Sequence, residues 1–184
     1  GKSIYGETTP IYMYWEPCMR RIWEYNREIQ LIAILRDPAD RAFSHWNMQR
    51  NDYPKTKDFL ECLADEESWI KKALPFQPRG HAFLDRGFYS HQIRRMFRFF
   101  YPEQLLFLKY ETFLAQQEET IHEICRFLKI DQSLLTIQRA NLHVKPYIRK
   151  MGRSERQKLV HTYLNDIQEV ERLLNWDCQS WKMS

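Results

Sequence analysis

The segment of residues 28–50, EIQLIAILRDPADRAFSHWNMQR, constrains the fold more than any other part of the chain. An apolar run of strand length, residues 29–35, stops at Arg36 and turns through Asp37 and Pro38 into a helical pattern. Asp37 suits the N-cap of that helix and Pro38 its first position. Because a buried strand followed directly by a helix is one half of a βαβ unit, the segment predicts an α/β fold.

The end of this strand is suited to an anionic ligand. In open α/β sheets ligands lie at the carboxyl ends of strands, where the N-terminus of the next helix offers free N–H groups and a positive dipole end. Arg36 stands at that point and Ser44 follows on the helix. A guanidinium and a hydroxyl group suit a phosphate. The alternative is a strand-to-helix turn of some other α/β protein that carries an incidental arginine.

The same residues resemble a known motif. The run RDPADRAFSHW is similar to the 3′-phosphate-binding segment of sulfotransferases that use 3′-phosphoadenosine 5′-phosphosulfate (PAPS), with the pattern Arg-(Asp/Asn)-Pro-x-x-Arg-x-x-Ser-x-(Tyr/Trp). The resemblance implies that Arg36 and Ser44 bind the 3′-phosphate of the cofactor and that Arg41 braces the segment. It also implies a three-layer, P-loop NTPase-like fold in which helices flank a parallel sheet.

A second motif precedes this one in the chain. Residues 6–12, GETTPIY, resemble the Gly-Glu-Lys-(Ser/Thr)-Pro-x-Tyr segment of heparan-sulfate-type and bacterial sulfotransferases, where the glutamate is the general base. Glu7 takes that position, and Thr8 replaces the lysine, so any charge role of that lysine is lost or supplied elsewhere. A positioned base contributes about 10²–10⁴-fold to a rate. Without the motif, Glu7 would be interpreted as an exposed turn carboxylate.

Residues 141–153 form a basic stretch with little hydrophobic periodicity. Their position matches the late loop that folds over the nucleotide in the same family. By this resemblance Arg149, Lys150 and Gly152 close on the 3′-phosphate, and Tyr147 packs near the adenine. Cationic side chains and N–H groups beside a glycine suit that task. A solvated basic loop is the alternative interpretation.

The resemblance also places an acceptor cleft near the insert that follows the 3′-phosphate helix. The candidates for acceptor contact in and after this insert are Arg79, His81, Arg86, His91 and Gln92. Residues 86–97 resemble the Gly-x-Tyr-x-x-(Gln/His)-(Leu/Ile) helix start of the family. Gln92 stands at the position where relatives place a histidine, and His91 is also explained as a structural or surface residue.

Hydrophobic periodicity outlines the scaffold. We expect helices from Pro17 to about Tyr25, over 58–72, starting within 86–97, from Glu111 to about Lys129, and over 154–174, with a second strand at 105–110. Arg94, Arg95 and Arg98 are predicted to face solvent.

Composition limits the remaining possibilities. With 184 residues, 43% hydrophobic and 28% charged, the chain is typical of a globular protein, and we expect one domain over 1–184. The net charge of +4 suits an anionic ligand but is too small to indicate nucleic acid. The four cysteines form no CxxC pair, so no metal site is predicted. No run reaches the roughly 18 apolar residues of a membrane span, and a bacterial cytoplasmic location is expected.

The function implied by these motifs is transfer of a sulfuryl group from PAPS to a hydroxyl or amine of a carbohydrate-like acceptor, with 3′,5′-diphosphoadenosine as the product nucleotide. Lipid and polyketide-like acceptors are alternatives. The family's N-terminal strand and phosphosulfate-binding loop do not precede Glu7 here, so the sequence represents part of a longer enzyme or a defective fragment. The intact later motifs favour the first. A non-catalytic nucleotide- or polyanion-binding module is the alternative. An RNA-binding domain is weaker, because the aromatic residues fall at core spacing.

Overall fold

The computed structural model describes residues 4–75, 77–78, 80–132 and 146–183. Their α-helices and strands follow the order α1 (Pro17–Tyr25), β1 (Leu31–Leu35), α2 (Pro38–Asp52), α3 (Phe59–Ala73), α4 (Tyr89–Phe97), β2 (Leu105–Lys109), α5 (Tyr110–Ala115), α6 (Gln117–Leu128) and α7 (Arg153–Leu174). Short 3₁₀ helices lie at Asp85–Gly87, Pro102–Gln104 and Gln179–Lys182. None of the helices in these ranges is long and apolar enough to cross a membrane.

The two strands pair in parallel, with Ala33 of β1 opposite Phe107 of β2. Parallel neighbours need a long crossover, which α2, α3 and α4 provide here. Burial alternates along β1: Ala33 and Leu35 are buried, whereas Ile32 and Ile34 are 38% and 47% exposed. One face of β1 therefore packs on the core, and the strand ends directly before α2.

The core lies mainly where α2 meets α3, α4 and α7. Its largest cluster is built around Trp46, Tyr163 and Trp181, each at most 1% exposed. A second cluster around Met19 and Met96 joins α1 and α4 to the sheet. Close-packed interiors resist small displacements. The junction between β1 and α2 is therefore kept in place by the core on which both elements pack.

Two expectations about the scaffold are wrong. The helix predicted from Glu111 to Lys129 is two helices, because Gln116 has φ −133° and ψ 57°, outside the helical region. Arg95 was predicted to face solvent but is 9% exposed. Its guanidinium donates to the carbonyl oxygens of Met13 and Tyr14, each at 2.8 Å. Helical periodicity does not reveal a long side chain that turns inward to satisfy distant carbonyls.

Candidate active site

Asp37 fixes the turn between β1 and α2. Its Oδ1 accepts hydrogen bonds from the N–H groups of Ala39 and Asp40 at 2.9 and 3.2 Å, which confirms the predicted N-cap. Arg156 of α7 donates to both carboxylate oxygens at 2.8 and 2.6 Å. The Asp37 N–H in turn donates to the Glu111 carboxylate at 2.9 Å. Because the Asp37 and Arg156 side chains are only 6% and 16% exposed, this pair anchors the start of α2 away from water.

Arg36 lies at the carboxyl end of β1, where its guanidinium meets two aromatic side chains. Its Nη2 donates to the Tyr147 hydroxyl at 3.3 Å, and the guanidinium carbon lies 5.1 Å from the centre of the Tyr110 ring. The Arg36 carbonyl accepts a hydrogen bond from the Tyr89 hydroxyl at 2.9 Å. Among the described residues no carboxylate forms an ion pair with Arg36. The Asp40 carboxylate acts on this charge only through space. The guanidinium therefore has no direct ionic partner among the described residues and can bind an anionic ligand.

Ser44 and Arg41 follow on α2 and have different surroundings. Ser44 is half-buried, and its hydroxyl has no hydrogen-bond partner within the described ranges. The Arg41 guanidinium instead donates to the carbonyl oxygen of Phe83. Arg41 thus connects α2 to the segment before α4, as expected of a bracing residue.

The late segment, residues 146–152, packs along α2. The Tyr147 ring stacks on Phe43 with a centroid distance of 6.0 Å and an interplanar angle of 8°. The Arg149 guanidinium lies 5.1 and 5.0 Å from the centres of two aromatic rings of α2, those of Phe43 and Trp46. The structure therefore brings Tyr147 and Arg149 onto the helix that follows Arg36, and these residues of the segment are packed rather than freely solvated.

The charge of Arg149 is already engaged. Its Nη1 and Nη2 donate to the two carboxylate oxygens of Glu155, each at 2.7 Å. The Gly152 N–H donates to the same carboxylate at 2.6 Å. The hydrogen bond from Arg149 lowers the pKa of Glu155 below its ordinary value of 4.5. Two donors expected at a phosphate thus bind an internal carboxylate, whereas the side chain of Lys150 is exposed.

Glu7 lies in an exposed segment ahead of α1. The Thr9 hydroxyl donates to Glu7 Oε1 at 2.9 Å. Hydrogen bonds from Tyr12 and then Thr9 lower the pKa of Glu7 below 4.5. The carboxylate is therefore ionised at neutral pH, as a general base must be. Its described contacts stay within residues 7–12 and do not reach the cluster around Arg36.

The candidates for acceptor contact lie in the region before α4. His81 is exposed, with its ring centre 4.2 Å from that of Trp69. The Arg86 guanidinium carbon lies 5.2 Å from the centre of the Tyr14 ring. Arg79 lies outside the described residues. His81 and Arg86 are thus both placed on aromatic side chains.

Gln92 and His91 occupy opposite environments at the start of α4. Gln92 is 2% exposed, and its amide donates to the carbonyl oxygens of Arg86 and Phe88 at 3.1 and 2.8 Å. This placement argues against the acceptor contact expected for Gln92, because the amide is enclosed and spans its own helix start. His91 is exposed.

His45 packs on another face of α2, where its ring centre lies 4.8 Å from that of Phe83. Burial and the nearby guanidinium groups of Arg41 and Arg86 lower the pKa of His45 from 6.5 to about 3. The imidazole is therefore neutral at physiological pH and adds no further charge beside the two arginines. In the described ranges no group of three or more His, Cys, Asp and Glu side chains is arranged to hold a metal ion.

Three side chains that organise the site were missed by sequence reasoning: Asn47, Glu155 and Arg156. Asn47 is 3% exposed and lies one turn after the buried Phe43. A polar amide on an apolar helix face needs hydrogen-bond partners, and this pattern in the sequence could have indicated its role. Glu155 stands at the third position of α7, the spacing of a capping box. Arg156 gave no signal, because its partner Asp37 is 119 residues away in the chain.

The chain resembles known proteins in sequence and in fold. Its structure is similar to the crystal structure of a sulfotransferase from Alicyclobacillus acidocaldarius, with a TM-score of 0.80 and 23% identity. The match covers 94% of this chain and 65% of that one, and it confirms the P-loop-like α/β fold. No curated protein matched. The family model of the sulfotransferase domain matches residues 18–173, and the chain therefore belongs to the sulfotransferase family.

Proposed function

We propose that this chain, as a single domain over residues 1–184, moves a sulfuryl group from PAPS to a hydroxyl or amine of a carbohydrate-like acceptor. The observation that carries the proposal is Arg36, which stands at the end of β1 with no described carboxylate paired to its charge. The helix that follows it presents a half-buried Ser44 whose hydroxyl has no described partner. A cation, a hydroxyl and a helix N-terminus together suit a phosphate ester.

In the nucleotide half of the site, Arg36 and Ser44 hold the 3′-phosphate. The exposed Lys150 adds a second positive charge, and Tyr147, with 47% of its surface exposed, offers a flat face to the adenine. Arg149 and Gly152 contribute through Glu155, whose carboxylate fixes both donors and so shapes the segment that closes over the nucleotide.

In the chemical half, Glu7 takes the proton from the acceptor. The acceptor oxygen or nitrogen forms a bond to sulfur, while the bond from sulfur to the bridging phosphate oxygen breaks. The electron pair leaves on the 5′-phosphate of 3′,5′-diphosphoadenosine. By analogy with phosphoryl transfer, most of the rate comes from in-line positioning and stabilisation of charge. No metal ion has a part in this proposal.

The acceptor contacts are assigned to the region before α4 and to the first turn of α4. His81 beside Trp69 and Arg86 beside Tyr14 combine a polar group with an aromatic face. Such pairs suit a ligand with both hydroxyl groups and apolar ring faces. Arg79 and His91 stay with this assignment as further candidates.

The direct test is transfer of label from radiolabelled PAPS to a panel of carbohydrate, phenol and amine acceptors. We expect labelled product from at least one acceptor, equal release of 3′,5′-diphosphoadenosine, and loss of both with Glu7→Gln. Tight binding of the diphosphate without transfer to any acceptor would contradict catalysis and favour a non-catalytic nucleotide-binding module. Absence of both binding and transfer would contradict the whole proposal.

A further inference from the structure

The side chain of Asn47 holds the backbone of residues 146–148 against α2. Its Nδ2 donates to the carbonyl oxygen of Pro146 at 3.1 Å, and its Oδ1 accepts the N–H of Ile148 at 2.8 Å. The amide thus satisfies one acceptor and one donor of the same short segment. Asn47 is 3% exposed, so its polar atoms depend on these partners rather than on water.

Tyr147 lies between the two residues that Asn47 binds. With the backbone fixed on both sides, the Tyr147 ring stacks on Phe43 at 6.0 Å, and its hydroxyl accepts the hydrogen bond from Arg36 at 3.3 Å. The amide of Asn47 therefore connects the middle of α2 to the aromatic side chain that meets Arg36.

We propose that Asn47 is a positioning residue for nucleotide binding, which holds Tyr147 beside Arg36 before the ligand arrives. The inference rests on the proposed function, because it takes Arg36 to be the 3′-phosphate ligand. Because the Tyr147 hydroxyl accepts a hydrogen bond from Arg36, a fixed Tyr147 orients the guanidinium that only the 3′-phosphate needs. A guanidinium oriented in advance loses less conformational entropy when the nucleotide binds, so the contribution of the 3′-phosphate to affinity is larger. Asn47 itself touches no reacting atom.

The chain offers two matched controls for Asn47→Ala. Asn51 donates to the same Pro146 carbonyl at 3.3 Å and to the backbone carbonyl of Asn47 at 2.8 Å. Asn51→Ala removes both contacts and keeps the side-chain amide of Asn47. Val170→Ala removes apolar volume from a fully buried position on α7 and so lowers stability without touching residues 146–148. The second control separates a general loss of stability from a loss of positioning.

Two readouts are measured for the wild type and the three variants, at a temperature where all are folded. The first is hydrogen exchange at the Ile148 N–H. The second is the ratio of the dissociation constants for 5′-AMP and 3′,5′-diphosphoadenosine, which isolates the effect of the 3′-phosphate. We expect Asn47→Ala to speed exchange at Ile148 and to reduce the ratio about tenfold, the equivalent of about 1.4 kcal/mol. Both controls keep the ratio within about twofold of the wild type.

An unchanged exchange rate in Asn47→Ala would show that Asn47 does not hold the backbone of residues 146–148, and so would overturn the proposal. Faster exchange with an unchanged ratio, or an equal loss of the ratio in Val170→Ala, would overturn the positioning role. A wild type that does not distinguish the two nucleotides would overturn the proposed function and the nucleotide part of this inference, while exchange at Ile148 would still decide whether Asn47 holds the segment.

Discussion

The nucleotide half and the chemical half of the proposed site are built in different ways. Around Arg36, contacts come from distant parts of the chain: Arg156 binds Asp37 across 119 positions, and Tyr147 meets Arg36 across 111. Around Glu7, the described hydrogen bonds come from Thr9 and Tyr12, at most five positions away along the sequence.

This difference shows that the fold determines the geometry around Arg36 more than the geometry around Glu7. A network of partly buried long-range contacts holds its geometry as long as the domain is folded, whereas an exposed segment with neighbouring contacts opens at little cost in free energy. The structure therefore pre-forms the surroundings of Arg36, where we propose that the 3′-phosphate binds. Glu7, whose described contacts are local, is expected to depend more on the substrates of the proposed reaction for its position.

The largest effect is expected from Glu7→Gln, which keeps the shape of the side chain and removes its basicity. Turnover should fall by about 10²–10⁴-fold, the usual contribution of a general base. The dissociation constant of 3′,5′-diphosphoadenosine should stay within about twofold of the wild type, because the two halves are separate. Initial rates and calorimetric titrations measure both quantities. Glu24→Gln, a change at an exposed glutamate of α1, is the control. Normal turnover in Glu7→Gln would disprove the assignment of Glu7 as the base.

The next effect is expected from Arg156→Met, which leaves the Asp37 carboxylate without its ionic partner. Breaking such a partly buried pair should cost about 3 kcal/mol of unfolding free energy. The thermal midpoint should fall by about 6–12 °C, at about 2–4 °C per kcal/mol for a domain of this size. Arg172→Met is the control, because Arg172 is 74% exposed in its pair with Glu169 and should change the midpoint little. Equal effects of the two variants would show that the network around Asp37 does not hold α2.

A pH-dependent effect is expected from His45, and it is small just below pH 6.5. Since the pKa of His45 is lowered from 6.5 to about 3 in the folded chain, the unfolded chain binds more protons between these values. Stability is therefore lost as pH falls below 6.5, by at most about 1.4 kcal/mol per pH unit. Thermal midpoints between pH 7 and pH 4 should fall less steeply in His45→Gln than in the wild type. The exposed His161 provides the control variant His161→Gln. Parallel curves of thermal midpoint against pH for His45→Gln and the wild type would contradict a buried neutral imidazole at position 45.

Elements with local signals were predictable from the sequence. The helix from Pro17 to Tyr25 has the predicted bounds, and α2 starts at Pro38 behind an Asp37 cap. In both cases the proline and the capping residue lie within a few positions of the helix start, so the sequence carries the information locally. The family motif pointed to Arg36 at the end of the strand and to Ser44 on the helix that follows as candidate ligands.

Features that depend on distant partners were not predictable. Arg95 turns inward because two carbonyls more than 80 positions earlier in the chain need donors. Even a partner six positions away was not predictable: the engagement of Arg149 by Glu155 changes the role expected for a basic loop residue, since the charge of an arginine in a sequence does not reveal its counter-ion. The hydrogen bonds of Asn47 likewise exist only because the fold places residues 146–148 beside α2.

The most direct test of the account is calorimetric titration of the wild type and Arg36→Ala with 3′,5′-diphosphoadenosine and with 5′-AMP. If the start of α2 binds the 3′-phosphate, the wild type should bind the diphosphate about 100-fold more tightly than AMP, a difference of about 2.7 kcal/mol. Arg36→Ala should remove most of that difference and leave the affinity for AMP nearly unchanged. Equal affinities for the two nucleotides in the wild type, or an unaltered preference in Arg36→Ala, would contradict the central claim.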